Sequence, residues 1–441
     1  MPSQAEYSGA FWLGYFVAVK GPWNPSSNTA IFVGQQGQQG PVGGSGVDER
    51  YTNYGIYQLA DNLLRDDSLS YTPLQSNSYS RELLAFAENL DLGGQNNEPG
   101  PAEVAERLRQ DQNPMSRYLQ KMQAEAMEAF QQELDMGIAR TNVFEQWAEM
   151  NAPAYTAAIR EYGSGSSALS EVLRRAQGPA AEATNTARER IADALHSGRL
   201  QPGAAASIRK AYQASERIPE PQGTMIVPAY SSPDLQDMFR WVDRIKGQPE
   251  NERWEEFTID YNLGSSVSKH SFGQRSLNSN TLFSVPWCGI TAEGNTTSAL
   301  SSPDQQKTSI VVKWTGRRLE SVYPGGWDIK GSNFRLNPSA PESAKNLMRP
   351  TQLVCLNNLS YDIKFFGESV EEVEQAISKA RRGEAEMRVF GWSVGVEGGG
   401  RPEEASHVAK WDKENGTLTI SPQLYGSSVS VAAIVGEKVN S

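Results

Sequence analysis

Residues 101–218 and the sequence on either side of them follow different rules, and this contrast limits the fold more than any single motif does. From 101 to 218, Ala, Glu, Gln and Arg dominate and β-branched residues are scarce, so helix propensity is high. In the flanks, Gly, Pro, Asn and Ser separate short apolar runs that alternate with polar residues, the pattern of strands with one buried face. The expected fold class is α+β: a β-rich, sandwich-like, mainly antiparallel domain carrying a long all-α helical insert. Three segments follow. A mixed N-terminal segment over 1–100 packs on the C-terminal sheet, because a two-strand piece is marginal alone. An all-α region covers 101–218, and a β-rich domain with two helices covers 219–441.

Local patterns fill in these segments. Phe11–Val19 and Thr29–Val33 read as strands around a Gly-Pro turn, and Gly34–Gly46 as a mobile low-complexity loop. Ile56–Leu64 and Ser80–Leu90 read as short helices, the second with Leu83, Leu84, Phe86, Ala87 and Leu90 as candidates for its buried side, and Gly93–Gly100 as a linker. In the helical region, Pro153 marks a break or a first turn. Gly163–Ser167 marks a joint, and Gly198 a C-terminal cap. Ser232-Pro233-Asp234 opens a helix lined by Leu235, Met238, Phe239, Val242 and Ile245. Leu282–Val285, Ser309–Trp314, Leu353–Leu356, Met387–Val396 and Val429–Val435 are among the expected strands. Ser369 and Glu372 box the start of one late helix, which Gly383 stops. Asn415-Gly416 supplies the turn of the clearest hairpin.

Composition excludes several function classes. The 441 residues carry a net charge of −11, an acidic balance that opposes nucleic-acid binding and anionic membranes. No stretch approaches the ~18 apolar residues of a membrane span. The N-terminus lacks a basic start, and its apolar run lacks a small-residue cleavage pattern, so a cytoplasmic location is expected. On that reading the sequons at Asn295, Asn358 and Asn415 are chance. Two cysteines, Cys288 and Cys355, make no disulfide framework or Cys-rich metal site and read as inert buried thiols.

The residues for most catalytic chemistry are sparse. His196, His270 and His407 are the three histidines, with no pair at metal-motif spacing, so a three-His site would need distant segments to converge. No nucleophile elbow, Walker lysine or dinucleotide spacing occurs, and no cofactor is expected. Asp260, Asp328 and Asp362 fall near strand ends beside aromatics, where most acids are simply solvated, so no catalytic residue is nominated.

The aromatic residues carry the strongest signal. Trp23 and Trp327 lie on Gly/Pro turns, the latter after Tyr323, whereas Trp314, Trp392 and Trp411 lie in strands and read as core. An indole on a turn has little neighbouring chain to cover it and can stack on a ligand or partner. Trp23, Trp327 and Tyr323 are therefore the candidate ligand-binding residues. The first reading is a non-catalytic binding or assembly protein with an aromatic β surface and a helical region for oligomerisation or membrane engagement, including pore-forming and defence roles. Its partner would be a small molecule, a glycan or a protein, with a homo-oligomer among the options and no fixed membrane span. The alternatives are a cofactor-independent cyclase, isomerase or hydrolase with an aromatic pocket, and a three-His metal enzyme.

Overall fold

The apolar run Phe11–Val19 is helical, contrary to the strand its aromatic content predicts. In the computed structural model, helix α1 spans Gln4–Lys20. Ser3 Oγ accepts from the Glu6 amide at 3.3 Å and the Glu6 carboxylate accepts from the Ser3 amide at 2.5 Å, which completes a capping box. Periodicity fails as a signal because apolar residues surround the axis: Phe11, Trp12, Tyr15, Phe16 and Val19 are buried on one side, and Ala10, Leu13 and Ala18 on the others. A helix apolar on every side belongs inside a core.

The structure describes residues 2–40, 49–73, 78–90, scattered positions between 110 and 138, and 144–177, 198–200, 225–228, 230–246, 254–274, 283–292, 295–325, 327–329, 336–399, 405–423 and 429–439. The expected Gly93–Gly100 linker and Ala187–Leu195 stripe lie outside these. The chain divides into two units. The first holds Met1–Leu83, Ser197–Gly325 and Pro341–Ser441, and the second holds Leu84–His196 and Gly326–Ala340.

The first unit is α+β and β-rich. Strands β1 (Thr29–Gln39), β2 (Leu64–Arg65) and β3 (Ser70–Tyr71) come from the N-terminal segment. Next are β4 (Gly198–Leu200), β5 (Met225–Val227), β6 (Tyr230–Ser231) and β7 (Glu255–Asp260). They are followed by β8 (Cys288–Ala292), β9 (Asn295–Ser298), β10 (Ser309–Trp314), β11 (Gly316–Ser321) and β12 (Tyr323–Pro324). The last are β13 (Leu347–Asn357), β14 (Ser360–Lys364), β15 (Glu386–Val389), β16 (Trp392–Val396), β17 (His407–Asp412), β18 (Thr417–Pro422) and β19 (Val429–Lys438). One sheet has the order β11-β13-β19-β1-β3, with β2 beside β13. A nine-stranded sheet runs β7-β10-β14-β18-β17-β16-β15-β8-β9, and two-stranded ribbons pair β12 with β6 and β4 with β5. The N-terminal strand β1 thus lies against the C-terminal strand β19. One core takes side chains from both large sheets and from α1, including Ile31, Val354, Ile310 and Ile363.

Several local expectations change for identifiable reasons. Gly34–Gln39 continue β1 rather than forming a loop, and Gly37 is needed for space: a Cβ there would meet the Trp392 ring at 2.1 Å. Residues 41–46 of the same expected loop are outside the described part. Leu282 is likewise outside, and 283–285 form no strand; the Val285 carbonyl instead accepts from Trp12 Nε1 at 2.9 Å. Met387–Val396 is a hairpin, because Phe390 (φ 48) and Gly391 (φ 79) turn the chain between β15 and β16. The expected hairpin forms between β17 and β18, but Asp412 pairs with Thr417, so its loop is the four residues Lys413–Gly416 rather than a two-residue Asn415-Gly416 turn, and of that pair Gly416 alone has positive φ, at 60.

The helices show the same mixture. Helix α2 spans Glu49–Ala60 and ends before Leu64, and α3 spans Tyr79–Glu88 with Leu83, Phe86 and Ala87 buried. In the second unit, α4 (Phe144–Asn151) and α5 (Pro153–Gln177) join residues 121–130 around Phe130, Trp147, Ala148 and Ala152. Trp147 Nε1 donates to the Glu133 carboxylate at 2.7 Å. Pro153 begins α5, where its missing N–H costs nothing. α5 runs straight through the expected joint at Gly163–Ser167, where the Ser164 hydroxyl donates to the Arg160 carbonyl at 2.9 Å. Gly198 opens β4 instead of capping a helix.

Back in the first unit, α6 (Leu235–Lys246) buries Leu235, Met238, Val242 and Ile245, with α7 (Tyr261–Ser266) following β7. After the short α8 (Glu342–Lys345), α9 covers Glu368–Arg381. The expected Ser369–Glu372 box is not made. Asp304 accepts from the Glu368 amide at 3.0 Å and caps α9 from another segment, which frees Glu372 to accept from the Ser301 amide at 3.0 Å. Among the described residues, no helix is long and apolar enough to cross a membrane.

Candidate binding surface

The turn carrying Trp23 is set by the end of α1. Gly21 follows Lys20 at φ 54, its amide donates to the Val17 carbonyl at 3.1 Å, and the Trp23 amide donates to the Lys20 carbonyl at 3.2 Å. The guanidinium of Arg317, on β11, donates to the Val19 and Lys20 carbonyls at 3.1 and 2.6 Å. A cation at a helix C-terminus meets the negative end of the helix dipole. The indole of Trp23 is half-buried against the main core, so one side of it remains available.

Tyr323 is more open, at 45% exposure. It lies on the β6–β12 ribbon directly across from Ser231, with Pro324 across from Tyr230. Two buried carboxyl groups hold this ribbon from beneath. Tyr230 Oη donates to Asp61 Oδ1 at 2.7 Å, and Asp61 also accepts from the Ser80 amide at 2.9 Å and the Ser80 hydroxyl at 2.7 Å. Burial pushes the Asp61 carboxyl above the usual carboxylate range, against the pull of these bonds. The fully buried Glu320 accepts from Arg318 Nε at 3.0 Å and from the Ser232 hydroxyl. Ser232, expected as a helix cap, is thereby spent on the ribbon's anchor. Sequence reading missed Asp61, Ser80, Tyr230 and Glu320, since none belongs to a spaced motif.

Trp327 belongs to the second unit, where it is 5% exposed and so presents little of its indole. Trp392 is fully buried, Trp314 is buried, and Trp411 is half-buried with Nε1 donating to Glu374 at 2.6 Å.

The histidines are placed separately. His407 is completely buried; Nε2 donates to the Leu359 carbonyl at 3.0 Å, which leaves Nδ1 to accept from the Ser406 hydroxyl at 2.8 Å. Both nitrogens of a neutral imidazole are thus used, and burial depresses its pKa to about 4. His270 falls in a 3-10 turn over Lys269–Phe272, and His196 is outside the described residues. Among the described residues, no group of three or more His, Cys, Asp or Glu side chains is arranged to hold a metal ion. Cys288 and Cys355 are buried and unpaired; burial raises both thiols, that of Cys288 to about 12.

Of the strand-end acids, Asp260 caps α7 by accepting from the Leu263 amide at 2.8 Å, and Asp362 pairs with Lys313 at 2.5 Å. Asp328 is a buried residue of the second unit. No protein-family model, curated protein or solved structure matches the chain.

Proposed function

We propose that the chain is a non-catalytic binding or assembly protein. In this reading, the β-rich part is a sandwich-like, mainly antiparallel platform that offers Trp23 and Tyr323 to a small molecule, glycan or protein. The helical stretch, read as an insert, provides self-association or membrane engagement, and the acidic chain works in the cytoplasm. One observation supports it above the others. Of the seven large apolar side chains exposed among the described residues, five belong to the helical part: Tyr118, Met136, Ile138, Met150 and Ile159. Exposed apolar side chains concentrated in one part of a folded protein mark a surface that is covered in use.

The test is light scattering of the purified full chain across a concentration series, beside co-sedimentation with neutral and anionic vesicles. Self-association or vesicle binding that is lost in Met150→Glu/Ile159→Glu supports the reading. A monomer at every concentration that ignores both vesicle types overturns the role assigned to the helices.

A second reading, a cofactor-independent enzyme, is favoured by Asp61, a buried carboxyl bonded to Tyr230 and Ser80. Carboxyl groups raised by burial are recurrent acid–base catalysts.

A further inference from the structure

Asn415-Gly416 is the one Asn-Gly pair in the sequence. Such a pair is chemically labile, because glycine has no side chain to shield its nitrogen from the asparagine amide next to it. The folded loop occupies both groups that would react. Asn415 Nδ2 donates to Asp412 Oδ2 at 2.7 Å, and the Asn415 amide donates to Asp412 Oδ1 at 3.1 Å. The Gly416 amide donates to the Lys413 carbonyl at 3.2 Å. Asn415 is exposed and so open to water, whereas Gly416 is buried. A Cβ on Gly416 would meet the Phe365 carbonyl oxygen at 2.8 Å, which shows how closely this nitrogen's residue is packed.

The loop is also docked on its neighbours. The Phe365 amide, just after β14, donates to the Gly416 carbonyl at 2.8 Å. On α9, Glu374 accepts from Trp411 Nε1 at 2.6 Å, and Glu371 faces Lys413 at 3.5 Å. What happens at Asn415 therefore reaches the end of β14 and the exposed side of α9.

We propose that Asn415-Gly416 is a deamidation site that Asp412 holds in check, converted when the β17–β18 loop opens. In the open loop the Gly416 nitrogen gives its proton to solvent and bonds to Asn415 Cγ. The Cγ–Nδ2 bond breaks, and Nδ2 takes a proton from solvent and leaves as ammonia. The cyclic imide then adds one water. Ring opening at Cγ leaves isoaspartate or aspartate according to which imide carbonyl the water attacks: attack at Cγ gives aspartate, and attack at the main-chain carbonyl gives isoaspartate. Water is the co-reactant, and no oxidation or reduction occurs.

The check is the carboxylate of Asp412. A charged acceptor makes a stronger bond than a neutral one, and this acceptor fixes the amide that must turn toward Gly416. The two bonds from Asn415 hold the Asp412 carboxyl below the usual carboxylate range. Conversion removes the lock that restrained it. The donor Nδ2 is replaced by a carboxylate oxygen, so two like charges stand where a donor and an acceptor stood. The modified loop cannot rebuild its bond to Asp412, and the change runs one way.

The test follows conversion at Asn415 by peptide mass spectrometry during incubation of the full chain in mildly alkaline buffer, with and without denaturant. Conversion in the native chain is expected to be at least about tenfold slower than in denaturant, the effect of a bond to a charged group. Asp412→Ala should speed native conversion by about tenfold. Asp412→Asn, which keeps an acceptor without the charge, should fall between and serves if Asp412→Ala does not fold. Lys413→Ala, which removes only the exposed contact with Glu371, should stay within about twofold of wild type. In Asn415→Asp, hydrogen exchange over 412–417 should be faster than in wild type. Native conversion as fast as in denaturant, or none in either, overturns the proposal. So does a folded Asp412→Ala that converts at the wild-type rate, a Lys413→Ala that matches the acceleration of Asp412→Ala, or an Asn415→Asp loop as protected as wild type.

Discussion

Arg317 closes the C-terminus of the buried helix α1 by donating to the Lys20 carbonyl at 2.6 Å, and its second bond reaches Val19 at 3.1 Å. A side chain from β11 thereby satisfies carbonyls that α1 leaves open at its end. Burial lowers the Arg317 pKa, opposed by Glu255, which marks a desolvated guanidinium committed to this task. Arg317→Ala should cost about 2–4 kcal/mol, since it removes two charge-assisted bonds and strands buried carbonyls. Arg317→Lys should recover only part, because an ammonium lacks the planar fork. Urea-unfolding midpoints check both, with equal stability of the two variants counting against the fork's role.

Gly37 should tolerate no side chain. A Cβ there would meet the Trp392 indole at 2.1 Å, and the Gly37 amide donates to the Gly391 carbonyl at 3.0 Å. Gly37→Ala is expected to destabilise the protein by about 1–3 kcal/mol through overpacking. Thermal unfolding measures this, and an unchanged Tm would mean that β1 and the β15–β16 hairpin do not meet as described.

His407 should make the fold acid-sensitive. Its folded pKa of about 4 lies below the ordinary 6.5, so the unfolded chain binds the extra proton between these values. The stability that neutral His407 contributes is present above 6.5 and lost as pH falls toward 4, by about 3 kcal/mol in all. His407→Gln should flatten this part of the pH profile of urea unfolding. Acidification should accordingly loosen hydrogen exchange around β17. Exchange around β17 that is unchanged or slower on acidification would contradict the assignment.

Cys288 and Cys355 should resist thiol reagents in the native state. Both are buried with raised thiol pKa values, and the thiolate is the reactive form. Labelling with an aromatic disulfide reagent should be negligible in buffer at neutral pH and stoichiometric at two thiols in denaturant. Fast native labelling would show that one of these thiols is accessible.

What could be read in advance was whatever neighbouring residues decide among themselves. The β17–β18 hairpin was legible at Asn415-Gly416 because Gly416 accepts φ 60 without strain, although its loop takes four residues and not two. Helix α6 buries Leu235, Met238, Val242 and Ile245 because a 3.6-residue period places them on one side. Helix α1 is not legible from periodicity although Ser3 and Glu6 stand at capping-box spacing, because a run apolar on all sides has no period to detect. The candidate surface was half legible: Trp23 and Tyr323 stand out as aromatics on turns, while nothing near Asp61 points to Tyr230, its partner 169 positions away.

The sequence by itself determined the change from strand-forming flanks to an Ala- and Glu-rich helical stretch, the turns at Gly-containing pairs and the faces of amphipathic helices. Each of these follows from propensities acting over a few residues. Only the tertiary structure decided that Gly37 gives room to an indole, that Asp304 rather than Ser369 caps α9, and that Glu320 and Asp61 are buried beneath one ribbon. Burial and hydrogen-bond satisfaction are settled between segments far apart in sequence, where the need to pair every buried polar group outweighs local preference.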